Sequence, residues 1–169
     1  MVGDKMASKN GNVLMISLIL IAIAITIFLF IIAVFTSHIN SILYRVKLDM
    51  YSMNRSAIVA VNKNKASVDD FSYDTKTYYQ EFISLLKRNY DLDNELKNQQ
   101  KLISSIEVKE YEIYEAQRKD NFSGSRSDNR VIHTVLKVKI KPIILSDFLE
   151  NIFTFDVHED VNLNMYDGK

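Results

Sequence analysis

From Val13 to Phe35 the chain reads VLMISLILIAIAITIFLFIIAVF, 23 residues with no charge and with Ser17 and Thr26 as the polar interruptions. This run constrains the fold more than any other feature. A helix rises about 1.5 Å per residue, so about 20 residues cross a hydrocarbon layer of roughly 30 Å. Inside lipid a single segment must satisfy its backbone groups internally, and a continuous helix does so. The run therefore predicts a transmembrane helix over residues 13–35, lying against the lipid bilayer. A cleaved signal peptide is the competing expectation. Ala22-Ile23-Ala24 has the small-x-small form of a cleavage site. However, signal cores usually span about 7–15 residues, and here the apolar run continues to Phe35.

Charge does not orient the helix. Lys5 and Lys9, offset by Asp4, stand before it, and Arg45, Lys47 and Arg55 stand after it. A strict positive-inside count does not favour a cytoplasmic short end. A short tail over residues 1–12 ahead of an uncleaved helix has the form of a signal anchor. The expected topology is single-pass in the cell membrane, with the N-terminus cytoplasmic and the bulk outside.

Between Phe35 and Gly124 there is no glycine or proline. Apolar residues recur at Ile39, Ile42, Leu43, Val46, Met50, Met53, Ala57, Ala60 and Val61, in steps of three and four. That spacing is one face of a helix. The opposite face carries Asn40, Arg45, Lys47, Asp49, Arg55 and Asn62. Residues 36–63 are thus expected to continue the membrane helix as an amphipathic stalk. Ser56, Ala57 and Ala60 are small enough to let a neighbouring helix approach closely. A polar connection follows. Asp74 then stands as N-cap of a second helix over residues 75–89, with Tyr78, Phe82, Leu85 and Leu86 on its apolar face. DLDNELKNQQKLIS (91–104) fits either a short helix or a loop.

The period then changes to two. SIEVKEYEIYEAQ (105–117) reads as a strand whose apolar phase slips between Val108 and Tyr111, which predicts a β-bulge. RKDNFSGSRSDNR (118–130) is polar and expected to be a mobile loop. VIHTVLKVKIKP (131–142) alternates, with Leu136, Val138 and Ile140 on one side and Lys137, Lys139 and Lys141 on the other. After Pro142, residues 144–153 suit a short helical turn. FTFDVHEDVNLNMY (153–166) alternates again, with Glu159 alone breaking the inner face, so a bulge is expected there. Three strands with one apolar face need a cover, and the two amphipathic helices supply it. The expected class is α+β: a transmembrane helix continuing as a long amphipathic helix, a second helix, and a three-stranded antiparallel meander. Residues 64–169 form the small α+β domain. The three lysines read as edge protection and solubility, or as a patch for an acidic partner.

Little chemistry is offered. The formal net charge is zero, with 21 basic and 21 acidic residues, which gives no footprint for nucleic acid. The absence of cysteine excludes disulfides, zinc–thiolate centres and thiol nucleophiles. Abundant Asn, Lys and Ile suggest bacterial codon usage. There is no HExxH, GxSxG or phosphate-cradling glycine loop, so no catalytic residue and no cofactor are expected. Asp156, His158 and Asp160 share one strand face, and His133 lies opposite if the strands pair; together they would form a loose set of N and O ligands. Polar residues commonly fill the wet face of a strand, and no metal is expected on that spacing. Asp91 and Asp93, or Glu110, Glu112 and Glu115, read as solvated carboxylates. His38 falls where the helix leaves lipid. Asn54 and Asn121 head N-x-S sequons.

The order of parts resembles the TadE/TadF-like minor pilins, or pseudopilins, of tight-adherence and related type IV pilus systems. A short basic N-terminus ends in Gly11, a long apolar helix continues as a stalk with small residues, and VLKVKIKPIIL and FTFDVHEDVNLNMY close the chain. The resemblance implies a non-enzymatic membrane subunit whose helix packs with other pilin-like subunits or assembly-platform proteins. It also implies prepilin-type cleavage between Gly11 and Asn12. The family carries glutamate at the fifth mature position, where this chain has Ile16; permanent anchoring as an accessory component is the other outcome. Outside the family, the same features fit an anchored extracytoplasmic interaction or sensor module.

Overall fold

A computed structural model describes residues 3–66, 75–98, 100–120, 124, 127–141 and 153–163, with side chains of the first helix described over 13–62. The class is α+β, as expected. Helix α1 (Gly3–Ala66) and helix α2 (Thr75–Tyr90) precede strands β1 (Ile103–Tyr114), β2 (Val131–Ile140) and β3 (Thr154–Asn162). The chain divides into two compact units, Met1–Ile42 and Leu43–Lys169.

In the first unit the apolar side chains of α1 are bare up to Val34, while Ile39 is buried. The large hydrophobics from Val13 to Val34 are 46–69% exposed. This is the one helix among the described residues long and apolar enough to cross a membrane. Its two polar side chains return to their own backbone: Ser17 Oγ donates to Val13 O at 3.0 Å and Thr26 Oγ1 to Ala22 O at 2.8 Å. Such i−4 bonds leave no hydroxyl donor unpaired in an apolar medium.

In the second unit the three strands form an antiparallel sheet in the order β1-β2-β3. The remaining part of α1 buries Val46, Met50, Met53, Asn54, Ala57, Ile58 and Val61. The stripe is wider than the apolar pattern alone implied, because it takes in Asn54 and Ile58. Ile58 and Val61 pack with Tyr78 of α2 and with Ile132, Val161 and Leu163 of the sheet and its end. From α2 come Tyr78, Phe82 and Leu86, all fully buried. Phe82 and Tyr79 rest on Tyr111 of β1, with ring centroids 5.1 and 5.3 Å away. Burying a ring of this size stabilises by about 1.5–3 kcal/mol.

Helix α2 ends by a Schellman closure. Asp91 takes φ 56°, and Leu92 N donates to Lys87 O at 2.9 Å while the Leu92 side chain is buried. This is the six-to-one bond that caps a helix through a left-handed residue. Beyond it, residues 92–98 form a loop rather than a helix. Asp93 Oδ1 accepts from Glu95 N and Lys97 N at 2.8 and 2.9 Å.

The slip of phase in β1 is a register shift between Val108 and Glu110. The extra residue, Lys109, keeps Ile106 and Val108 before it and Tyr111 and Ile113 after it on the helix-covered face. Several boundaries differ from the sequence reading. Strand β1 starts at Ile103 and stops at Tyr114, because Gln117 adopts φ 67° and turns the chain. No irregularity occurs at Glu159. It pairs with Thr134 in unbroken register, since Lys47 of α1 meets its carboxylate at 3.4 Å and supplies a charge partner on the inner face. The helical turn expected over 144–153 lies outside the described residues, apart from Phe153, as do the Asp74 cap and Asn121.

Candidate functional site: a buried histidine–aspartate cluster

The uncovered face of the sheet carries the odd-numbered residues of β2. At its Lys137 end the side chains are half-exposed, and at the other end they are sealed: Val131 to Leu136 are all buried in sequence. His133 is fully buried there. Register places it between Glu112 of β1 and Asp160 of β3. His158 and Asp160, two apart on β3, project to the same side.

The remaining wall is the β1–β2 connection. It was expected to be mobile, yet its described residues fold back and bond. Gln117 N donates to Ser127 O at 2.8 Å and Gly124 N to Asp120 O at 2.9 Å; Gln117 Nε2 donates to Asp128 at 2.7 Å. Gly124 at φ 71° supplies the left-handed conformation this return needs. The fold-back delivers Asp120, with its side chain 4% exposed, against both histidines.

Four side chains thus converge. His133 Nδ1 lies 2.9 Å from Asp160 Oδ1 and 3.5 Å from Asp120 Oδ1. His158 Nε2 lies 3.1 Å from Asp160 Oδ1 and 3.2 Å from Asp120 Oδ2. One atom from each of the four falls within 4.8 Å of the others. On its far side, His133 Nε2 faces Glu110 Oε2 at 3.2 Å. A column of rings screens the cluster. Tyr114 stacks on His133 at 4.3 Å and 9°, Arg118 sits 3.9 Å above the Tyr114 ring, and His158 lies 4.9 Å from His133. Burial pushes the Tyr114 hydroxyl above the usual phenol range.

Of the polar set singled out in the sequence, His133, His158 and Asp160 come together. Asp156 does not join them; it pairs with Lys109 at 2.7 Å. His133 does not lie on a wet face. Asp120 has no periodic signal in the sequence, and the loop that carries it had no expected structure. Glu112 and Glu115 pair with Arg118 and Arg130, and Asp91 and Asp93 serve the α2 cap and its turn.

The other positions of interest are scattered. Gly11 and Asn12 lie within α1. Ser56 is exposed, Ala60 half-buried and Ala57 buried within its own unit. Lys137, Lys139 and Lys141 are half-buried. Lys137 meets Glu107 at 3.5 Å, and Ser105, Glu107, Lys137, Lys139 and Thr154 line one shallow depression. Asn54 heads a sequon but is fully buried, donating to Thr134 Oγ1 at 3.0 Å; a glycan there is incompatible with this packing. No family model matches the chain, and no curated protein or solved structure matches it either.

Proposed function

We propose that the chain is a membrane-anchored, non-catalytic subunit of pilin-like build, serving a pilus or secretion-type assembly from the outer side of the cell membrane. The observation that carries this is the division of labour along α1. One helix exposes every large apolar side chain from Val13 to Val34, and its later turns bury a separate stripe against an antiparallel sheet. A bare apolar surface of that extent is stable in lipid or against other helices of the same kind. Carrying the soluble unit on the same helix couples assembly of the anchors to display of the sheet. Ile16, in place of a glutamate, favours an accessory subunit over a filament body.

Two measurements on the membrane-purified chain test this. N-terminal sequencing gives Asn12 if prepilin-type processing occurs, and Met1 or Val2 if the subunit stays anchored. The chain has no cysteine, so single cysteines placed at Ser17 or Ile23 report neighbours without background. Oxidation in the membrane yields disulfide-linked dimers or links to a partner subunit if α1 packs with other helices. Monomer alone at both positions, or recovery of the chain in the soluble fraction, refutes the assignment. Monomer in the membrane leaves the anchored interaction module in its place.

A further inference from the structure

We propose that Asp120, His133, His158 and Asp160 form a binding site for one divalent transition-metal ion, best suited to zinc, which fastens the β1–β2 connection to the sheet. The inference goes beyond the anchoring role and does not depend on it.

The donor set is two imidazole nitrogens and two carboxylate oxygens. Zinc takes such ligands at about 2.0–2.2 Å in tetrahedral sites, which sets neighbouring ligand atoms about 3.4 Å apart. The facing nitrogen–oxygen distances here, 2.9 and 3.1 Å to Asp160 Oδ1 and 3.5 and 3.2 Å to the two oxygens of Asp120, lie near that edge, and one ligand atom from each residue falls within 4.8 Å of the others. Imidazole suits first-row transition ions, whereas an all-oxygen set would suit magnesium or calcium.

Proton bookkeeping points the same way. A neutral imidazole has one N–H donor and one lone pair. His133 has carboxylate oxygens at both ring nitrogens, with Asp160 and Asp120 at Nδ1 and Glu110 at Nε2. One nitrogen would aim its lone pair at a carboxylate unless a second proton or a metal ion lies between them. A metal ion at Nδ1 fills that place and leaves Nε2–H to donate to Glu110. Metal-bound histidines are typically oriented in this way by a carboxylate on the second nitrogen. The ion would also separate Asp120 from Asp160, whose oxygens are otherwise crowded around the same two nitrogens.

The site has the character of a closed structural centre rather than a catalytic one. All four positions are protein ligands, whereas catalytic zinc usually keeps one for water. The ligands come from the loop, β2 and β3, so a bound ion ties together three segments in a chain without disulfides.

The test uses the full chain in detergent, stripped with chelator and dialysed. Zinc sulfate is titrated by calorimetry, with magnesium and calcium chloride as comparators, and cobalt(II) is added in parallel for its visible spectrum. The expected result is one zinc per chain with no matching magnesium or calcium binding, and an intense tetrahedral-type cobalt band. His158→Gln and Asp160→Asn should each weaken zinc at least about tenfold, the lower range for loss of a supporting metal contact, while Asp156→Asn on the same strand face binds as wild type. Circular dichroism checks that the variants fold. If they do not, the wild-type stoichiometry and cobalt band decide. Absence of stoichiometric zinc binding, an octahedral cobalt spectrum, or equal affinity in folded His158→Gln and Asp160→Asn would overturn the proposal.

Discussion

The polar pair in the middle of the helix–sheet interface offers a sharp test of the packing. Asn54 is fully buried in α1, and its Nδ2 donates to Thr134 Oγ1 at 3.0 Å, while its Oδ1 has no partner. A buried group left unpaired costs about 1–3 kcal/mol, whereas removing both partners together is close to neutral. Thr134→Val keeps the shape but strips the acceptor, so both polar atoms of Asn54 are orphaned. It should destabilise by about 1–3 kcal/mol. Asn54→Leu removes the orphaned Oδ1 along with the donor, and its net effect should stay within about 1 kcal/mol. The double variant should match or exceed wild type, giving a coupling energy of about 1–3 kcal/mol in a double-mutant cycle. Urea unfolding of the full chain in detergent gives each value. Circular dichroism is the suitable probe, since the chain has nine tyrosines and no tryptophan. A double variant as unstable as the sum of the singles, or a neutral Thr134→Val, would show that α1 does not present Asn54 to β2.

Asp91→Gly should raise stability by up to about 1 kcal/mol, because a residue with a Cβ is held at φ 56° in the α2 closure where glycine carries no such strain; the same urea assay reads it. Stability should also fall above about pH 10, the ordinary tyrosine pKa. Burial, joined by the hydrogen bond to Asp49, raises Tyr90, and burial raises Tyr111. In that window the unfolded chain releases protons that the folded chain keeps, so unfolding gains with pH. Tyr90→Phe and Tyr111→Phe should each reduce this alkaline loss. A tyrosinate absorbance that rises for all tyrosines together, before unfolding, would contradict it.

Much of the scaffold was legible because its periods are clean. Val46, Met50, Met53, Ala57 and Val61 announce the buried stripe of α1, and Val108–Tyr111 announces the bulge. Ile58 lies outside the nine-residue stripe that the spacing defines, and the polarity of Asn54 argues against burial until a partner is known. Glu159 looked like a fault in β3 for a similar reason: its charge is matched by Lys47, more than a hundred residues earlier in the chain. In the cluster, His158 and Asp160 could be paired from their spacing and His133 from strand order. Asp120 could not, because its place depends on the turn at Gln117 and on the loop's own backbone bonds.

One signal for that missing wall was nevertheless present. Strand β2 reads VIHTVL and then KVKI. The second part alternates strictly, as a strand does with one dry face. The first part does not; it is apolar on both faces, and such runs belong to strands covered on both sides. Both helices here pack on the face of Ile132, so VIHTVL required a second cover over Val131, His133 and Val135. The polar connection preceding β2 was the nearest segment able to provide it. Its polarity suits the task, because it adds the Asp120 carboxylate to two histidines that Asp160 of β3 already meets. The β-bulge at Lys109 completes the arrangement. It holds Tyr111 and Ile113 under the helices while leaving Glu110, Glu112 and Tyr114 on the face of the cluster, so one added residue lets β1 serve both layers.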